Sequence, residues 1–254
     1  YKLMASPRIF PGQKVYAGVS SSDANLYIAY YGDGDETCYV DVDSPDDALN
    51  PSLHVPKVPG PIFEVGLRLN KDVSLQLNHV GWQGNPEVTF ERPKHKGLMW
   101  KRAWVDAVDQ LVGWSEMFRL VQNEGLGMIS QGTREWTNYV VSADVTPHLV
   151  SRAGVAARVQ GLTRFYALMV TLDQKVQLVK SVHEESVLAE AEFKWTLGDT
   201  LKMSLHVNGD ALVGKIDGAV VLTAKDTALD SGAIGLVVAD GRTATNSVTV
   251  APLS

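Results

Sequence analysis

The sequence predicts an all-β chain made of two β-sandwich (jelly-roll) domains. Three observations predict it. From residue 133 to residue 252, strand-like apolar runs follow one another with no amphipathic helix between them. Earlier runs alternate apolar and polar residues with period two, the signature of half-buried strands. Asn208-Gly209 and Asp217-Gly218 separate short alternating segments, as two-residue hairpin turns require.

The elements follow in order. The first half holds strand-like runs at residues 15–20, 25–32, 37–43, 61–70 and 73–82. In the fourth, Phe63, Val65, Leu67 and Leu69 take one face and Glu64, Gly66 and Arg68 the other. In the fifth, Val73, Leu75 and Leu77 alternate with Ser74, Gln76 and Asn78. Pro51, Pro56 and Pro59 exclude a central strand between residues 50 and 60. Residues 91–97 concentrate charge and turn formers, so the chain is divided there into 1–96 and 97–254. Residues 102–110 and 115–122 suit either a helical turn or short strands. Beyond them the runs fall at 136–146, 153–160, 164–172, 175–182, 187–195, 200–210, 211–226 and 232–241.

Composition narrows the function classes. Hydrophobic residues at 45% and charged residues at 20% exclude a disordered chain. A formal charge of -6 argues against nucleic acid and anionic membranes, whose binding rests on Lys and Arg. No apolar run approaches the roughly 20 residues that span a bilayer as a helix. The single Cys38 excludes an internal disulfide and leaves the compartment open. A first residue of Tyr1, with no secretory signal behind it, points to a chain cut from a longer protein.

Several short motifs resemble a known architecture. Gly132-Thr-Arg-Glu-Trp136-Thr-Asn-Tyr139, Gly154-Val-Ala-Ala-Arg158 and Arg164-Phe-Tyr166 resemble successive strands of the concanavalin A-like (laminin G-like) sandwich. Leu205 to Gly209, Lys215 to Gly218 and Gly232 to Leu236 look like its closing strands. Residues 63–69 and 80–86 are similar to a galactose-binding-like jelly roll. The resemblance implies a galactose-binding-like domain followed by a concanavalin A-like one. Such pairs are accessory C-terminal regions of bacterial carbohydrate-active enzymes, including those of the ADP-ribosylglycohydrolase family.

Catalytic chemistry is sparsely signalled. Glu190 and Glu192 share a strand face, as a glycosidase pair about 5 to 9.5 Å apart requires. Lys194 continues that face, which reads better as a solvated surface. No Gly-x-Ser-x-Gly elbow occurs, and Cys38 sits in an apolar run. The six His residues lack ligand spacing, and no phosphate-binding glycine loop occurs. No cofactor is expected; the acidic residues Asp33, Asp35, Glu36, Asp41, Asp43, Asp46 and Asp47 suggest a structural Ca²⁺ at most.

Sugar recognition has the better physical case. It needs an aromatic platform and planar polar groups that read hydroxyls. By strand parity, Trp136 and Asn138 share a face, as do Arg158 and Gln160, beside the small Gly154 and Ala156. Arg164 and Tyr166 share a parity also carried by Leu168 and Val170, so their face stays open. The expected ligand-binding residues are Trp136, Asn138, Arg158, Gln160, Arg164 and Tyr166. For the aromatic residues and Arg158, a structural role is the competing reading.

The expected function is non-catalytic carbohydrate binding. The partners would be a glycan and a catalytic domain upstream in the same chain. Two alternatives stand beside it. A docking module would use Trp100, Trp104 and Trp114, and a glycoside hydrolase would use Glu190 and Glu192.

Overall fold

The computed structural model describes residues 2–3, 13–19, 24–31, 37–42, 53–54, 62–69, 77–92, 101, 104–112 and 118–253. No α-helix occurs among them. The chain divides into two compact units, Tyr1–Glu87 with Pro93–Ala103, and Val88–Arg92 with Trp104–Ser254.

The first unit holds β1 (Lys2–Leu3), β2 (Lys14–Val19), β3 (Ala24–Tyr31), β4 (Thr37–Val42), β5 (Leu53–His54), β6 (Ile62–Leu69) and β7 (Leu77–Gln83). They form two antiparallel sheets, ordered β1-β6-β3-β4 and β5-β2-β7. Alternation in β6 makes Val65 core, as its parity requires. It does not make Glu64 solvent-facing: Glu64 is buried and accepts a 2.8 Å hydrogen bond from the Tyr27 hydroxyl. A carboxylate can be buried there because that bond replaces water.

The second unit holds β8 (Val88–Glu91), β9 (Val105–Ala107), β10 (Gln110–Val112), β11 (Phe118–Gln131), β12 (Tyr139–Leu149), β13 (Arg152–Gly161) and β14 (Arg164–Thr171). It continues with β15 (Lys175–Val182), β16 (Glu184–Glu192), β17 (Leu201–Asn208), β18 (Ala211–Ile216), β19 (Ala219–Lys225) and β20 (Ala233–Pro252). Strands β9, β10 and β11 settle the ambiguous stretch as β structure. Division at residue 96 would leave Val88–Glu91 with the first half, yet β8 pairs with β20. Trp104 packs edge-on against Phe90 at 5.3 Å and Phe118 at 4.7 Å, inside this unit. Trp100 and Trp114 lie outside the described residues.

The sheet order is β16-β15-β14-β13-β20-β12-β17-β18-β19, and β20 makes it two layers. Its first part runs between β11 and β13; its second exchanges β13 for β12 and keeps β11 as far as Thr245, after which β8 takes that edge. The change of partner falls at Asp240-Gly241, where φ is 45° and 157°. A Cβ on Gly241 would lie 1.6 Å from the Leu149 carbonyl oxygen, so only glycine fits the bend. The Asp240 carboxylate holds it, accepting hydrogen bonds from the Gly125 amide and the Ser151 hydroxyl, both at 2.7 Å.

The layers meet where Leu168 of β14 presses on Gly214 of β18. Val155, Leu178, Met203, Leu205 and Leu212 complete this core. The opposite face of β13, β14 and β15 is apolar as well, with Ala156, Phe165, Ala167, Met169 and Val179 in a second cluster. Burial on both faces explains why these strands read as continuous apolar runs instead of alternating ones.

Candidate functional site

Four of the six residues expected from the sequence, Trp136, Arg158, Gln160 and Tyr166, contact one loop, residues 226–232 between β19 and β20. Arg164 joins them through Gln160, and Asn138 meets the turn at Gly209. The six serve in two different capacities.

Trp136, Arg158 and Tyr166 form a buried framework, with exposures of 0%, 1% and 0%. The surface platform expected of Trp136 is corrected by where β12 starts. That strand begins at Tyr139, so strand parity does not reach back to Trp136. Its ring lies instead over Gly132 and meets Tyr139 edge-on at 6.1 Å. Arg158 leaves its expected face because β13 bulges there. The register shifts after Ala157 against β14 and after Ala156 against β20, and Arg158 itself has φ 50°. Among the side chains described, no Trp, Tyr or Phe ring is exposed.

The inward Arg158 guanidinium donates to carbonyl oxygens from three separate segments. Nη1 reaches Gly209 and Leu229, each at 2.8 Å, and Nη2 reaches Thr137 at 3.2 Å. Its backbone amide donates to the Tyr139 hydroxyl at 2.6 Å, and that hydroxyl lies 2.9 Å from the carbonyls of both Gly232 and Ala233. Five fixed donors on a planar group suit this bridging, which a lysine could not copy. Burial pushes the Arg158 pKa below its ordinary value and the Tyr139 phenol well above its own.

Tyr166 ties the same loop from the next strand. Its hydroxyl donates to Asp226 at 2.6 Å and accepts from the Leu229 amide at 3.1 Å. Lys180 of β15 completes the arrangement with a 2.6 Å ion pair to the other Asp226 oxygen. Burial, with the Asp226 hydrogen bond, pushes the Tyr166 phenol up to about 12. For Asp226, burial raises the pKa, but hydrogen bonds from Lys180, Tyr166 and the Ala228 amide outweigh it and hold the carboxyl below its usual range.

Asn138, Gln160 and Arg164 stand at the rim. Asn138 is exposed and accepts from the Gly209 amide at 2.9 Å. Gln160 donates to the Ser231 carbonyl at 2.9 Å and accepts from Arg164 at 3.2 Å. Both are half-buried. A donor-rich rim with fixed positions therefore surrounds a loop that cannot easily move.

Sequence reasoning missed Lys180, Asp226 and the bridging role of Tyr139. Lys180 had a readable signal, since it continues the core parity of Val176 and Leu178. A cation on a core face requires a partner. Nothing in the sequence pointed to Asp226 as that partner.

Other expected sites fall apart or lie elsewhere. Glu190 is held by Lys175 at 2.7 Å and Gln177 at 2.6 Å, and these hydrogen bonds keep its pKa below the usual carboxylate value. A general acid requires the opposite shift. Among the described residues no group of three His, Cys, Asp or Glu side chains is placed to hold a metal. The acidic side chains of residues 33–47 lie outside the described residues. Among the described residues no helix is long and apolar enough to cross a membrane.

No family model and no curated protein matches the sequence. Solved structures do match. The carbohydrate-binding module CBM66 from Bacillus subtilis superposes with a TM-score of 0.55 at 18% identity, over 58% of this chain and 94% of that one. A Bacillus subtilis protein of unknown function with a galectin-like fold superposes with a TM-score of 0.50 at 14% identity, over 66% and 98%. The shared property is the fold, an all-β sandwich of the jelly-roll, lectin-like kind.

Proposed function

We propose that this chain is a non-catalytic carbohydrate-binding module whose contact surface is the rim around residues 226–232. The observation that carries the reading is the Lys180–Asp226 pair. It is a donor and an acceptor 2.6 Å apart, partly exposed, and fixed from below by Tyr166. A vicinal diol can satisfy both members of such a pair. Gln160, Arg164 and Asn138 add planar amide and guanidinium groups within the same rim. The Arg158 framework orders the loops beforehand, which lowers the entropy lost on binding. The lectin-like fold supports the same reading.

As a finer proposal, the module serves as an accessory region of a larger glycan-active or ADP-ribosylglycohydrolase-like enzyme. The docking alternative loses one of its three tryptophans, because Trp104 is internal. The hydrolase alternative is opposed by the Lys175 and Gln177 hydrogen bonds that already occupy both Glu190 carboxylate oxygens.

The test is affinity electrophoresis through plant, microbial and fructan polysaccharides. The expected result is retardation by one polymer, lost in Arg164→Ala while the melting temperature holds, and lost in Lys180→Met, which stays folded with a modestly lower melting temperature because Asp226 loses its partner. Trp136→Ala is unsuitable, since it would hollow the framework. Unretarded migration through the whole panel would overturn the reading.

A further inference from the structure

A second feature lies on the other face of the same strands. The face of β13–β15 that carries Met169 and Val179 runs on into an open groove of about 570 Å³. Its lining includes Arg152, Leu172, Asp173, Gln177, Glu185 and Val187. None of these contributes to the rim around residues 226–232.

The groove differs from an ordinary solvated strand face in two respects. Leu172 and Val187, exposed by 54% and 48%, are among the few large apolar side chains left open to water, and both line it. Arg152 and Glu185 are ion-paired although β14 and β15 separate their strands, so the pair spans the sheet face. Neither member is sealed off, with side-chain exposures of 28% and 33%.

We propose that this groove is a second saccharide site that takes a neutral sugar of one or two rings. Its volume falls in the range of about 300–1,000 Å³ typical of small-ligand sites. The apolar Leu172 and Val187 suit the C–H face of a pyranose or furanose ring. Arg152 donates, Glu185 accepts and Gln177 does both, which matches adjacent hydroxyls. Arg152 is matched by Glu185 and Asp173 by Lys175, so the lining holds no unmatched cation to attract a carboxylated sugar.

The experiment is amide chemical-shift titration of the full chain with maltose, cellobiose, lactose, sucrose and galacturonic acid. The expected result is that a neutral disaccharide moves the resonances of Arg152, Leu172 and Gln177. Arg152→Gln with Glu185→Gln should weaken that response by about tenfold or more. Lys180→Met, which disables the rim, should leave it intact. Leu172→Ser provides a second variant should the double one fail to fold, and it should weaken the response as well. The proposal is overturned if no neutral sugar moves those resonances, if galacturonic acid is preferred, or if the response survives the groove variants. Loss of polysaccharide retardation in Lys180→Met belongs to the rim alone, so the two readings fail separately.

Discussion

Arg152 of β13 and Glu185 of β16 are ion-paired across two intervening strands. Strongly twisted and coiled sheet geometry is what allows positions so far apart in strand order to meet. Each side chain remains about a third exposed, so solvent screens the attraction. Replacing both by glutamine should cost about 1 kcal/mol or less in urea unfolding. A loss several times larger would mean that the pair is structural.

Arg158 should behave in the opposite way. Its removal leaves the carbonyls of Thr137, Gly209 and Leu229 without their buried donor. The Leu229 carbonyl is buried and would stay unpaired, whereas Thr137 and Gly209 are exposed residues, so Arg158→Met should lose about 2–4 kcal/mol. Arg158→Lys should recover little, because a single ammonium cannot replace the planar fork. The midpoint of chemical denaturation measures both.

The Asp226 cluster predicts an acid-sensitive part of stability. Its folded pKa is depressed, so its contribution is present above the unfolded value of about 3.9 and is lost as pH falls through the folded one. The stability difference between the wild type and Asp226→Asn should therefore be full at neutral pH and should close below about pH 4. A difference that stays constant through that window would contradict the assignment.

Two closely packed glycines should respond unequally to alanine. At Gly241 the obstacle is the Leu149 carbonyl oxygen at 1.6 Å, which is backbone, and φ is 157°. At Gly214 the obstacle is the tip of Leu168 at 2.5 Å, a side chain that can turn aside. Gly241→Ala should cost about 2–4 kcal/mol, and Gly214→Ala distinctly less. Thermal melts of the two variants test the ranking.

Much of the fold was legible because strand formation leaves a local record. Period-two alternation marked β6, and Asp217-Gly218 forms a turn with φ of 52° and 82°. The site was legible only in part. Trp136, Arg158, Gln160 and Tyr166 contact one loop, with Arg164 beside Gln160 and Asn138 at the Gly209 turn, but parity misplaced Trp136 and Arg158. Trp136 precedes its strand, and Arg158 sits on a bulge, which shifts the face by one residue. The groove at Arg152 left no signal at all, because Glu185 stands 33 positions further along the chain.

The sequence by itself determined that this chain is all-β in its described residues and where its hairpin turns fall. These follow from interactions within a few residues: side-chain periodicity and glycine conformation. Tertiary structure alone decided that Arg158 is a hidden clamp, that Lys180 and Asp226 pair at the rim, and that β20 joins two layers. Those outcomes depend on contacts between distant strands, where burial strengthens or penalises a charge according to the partner that folding brings to it.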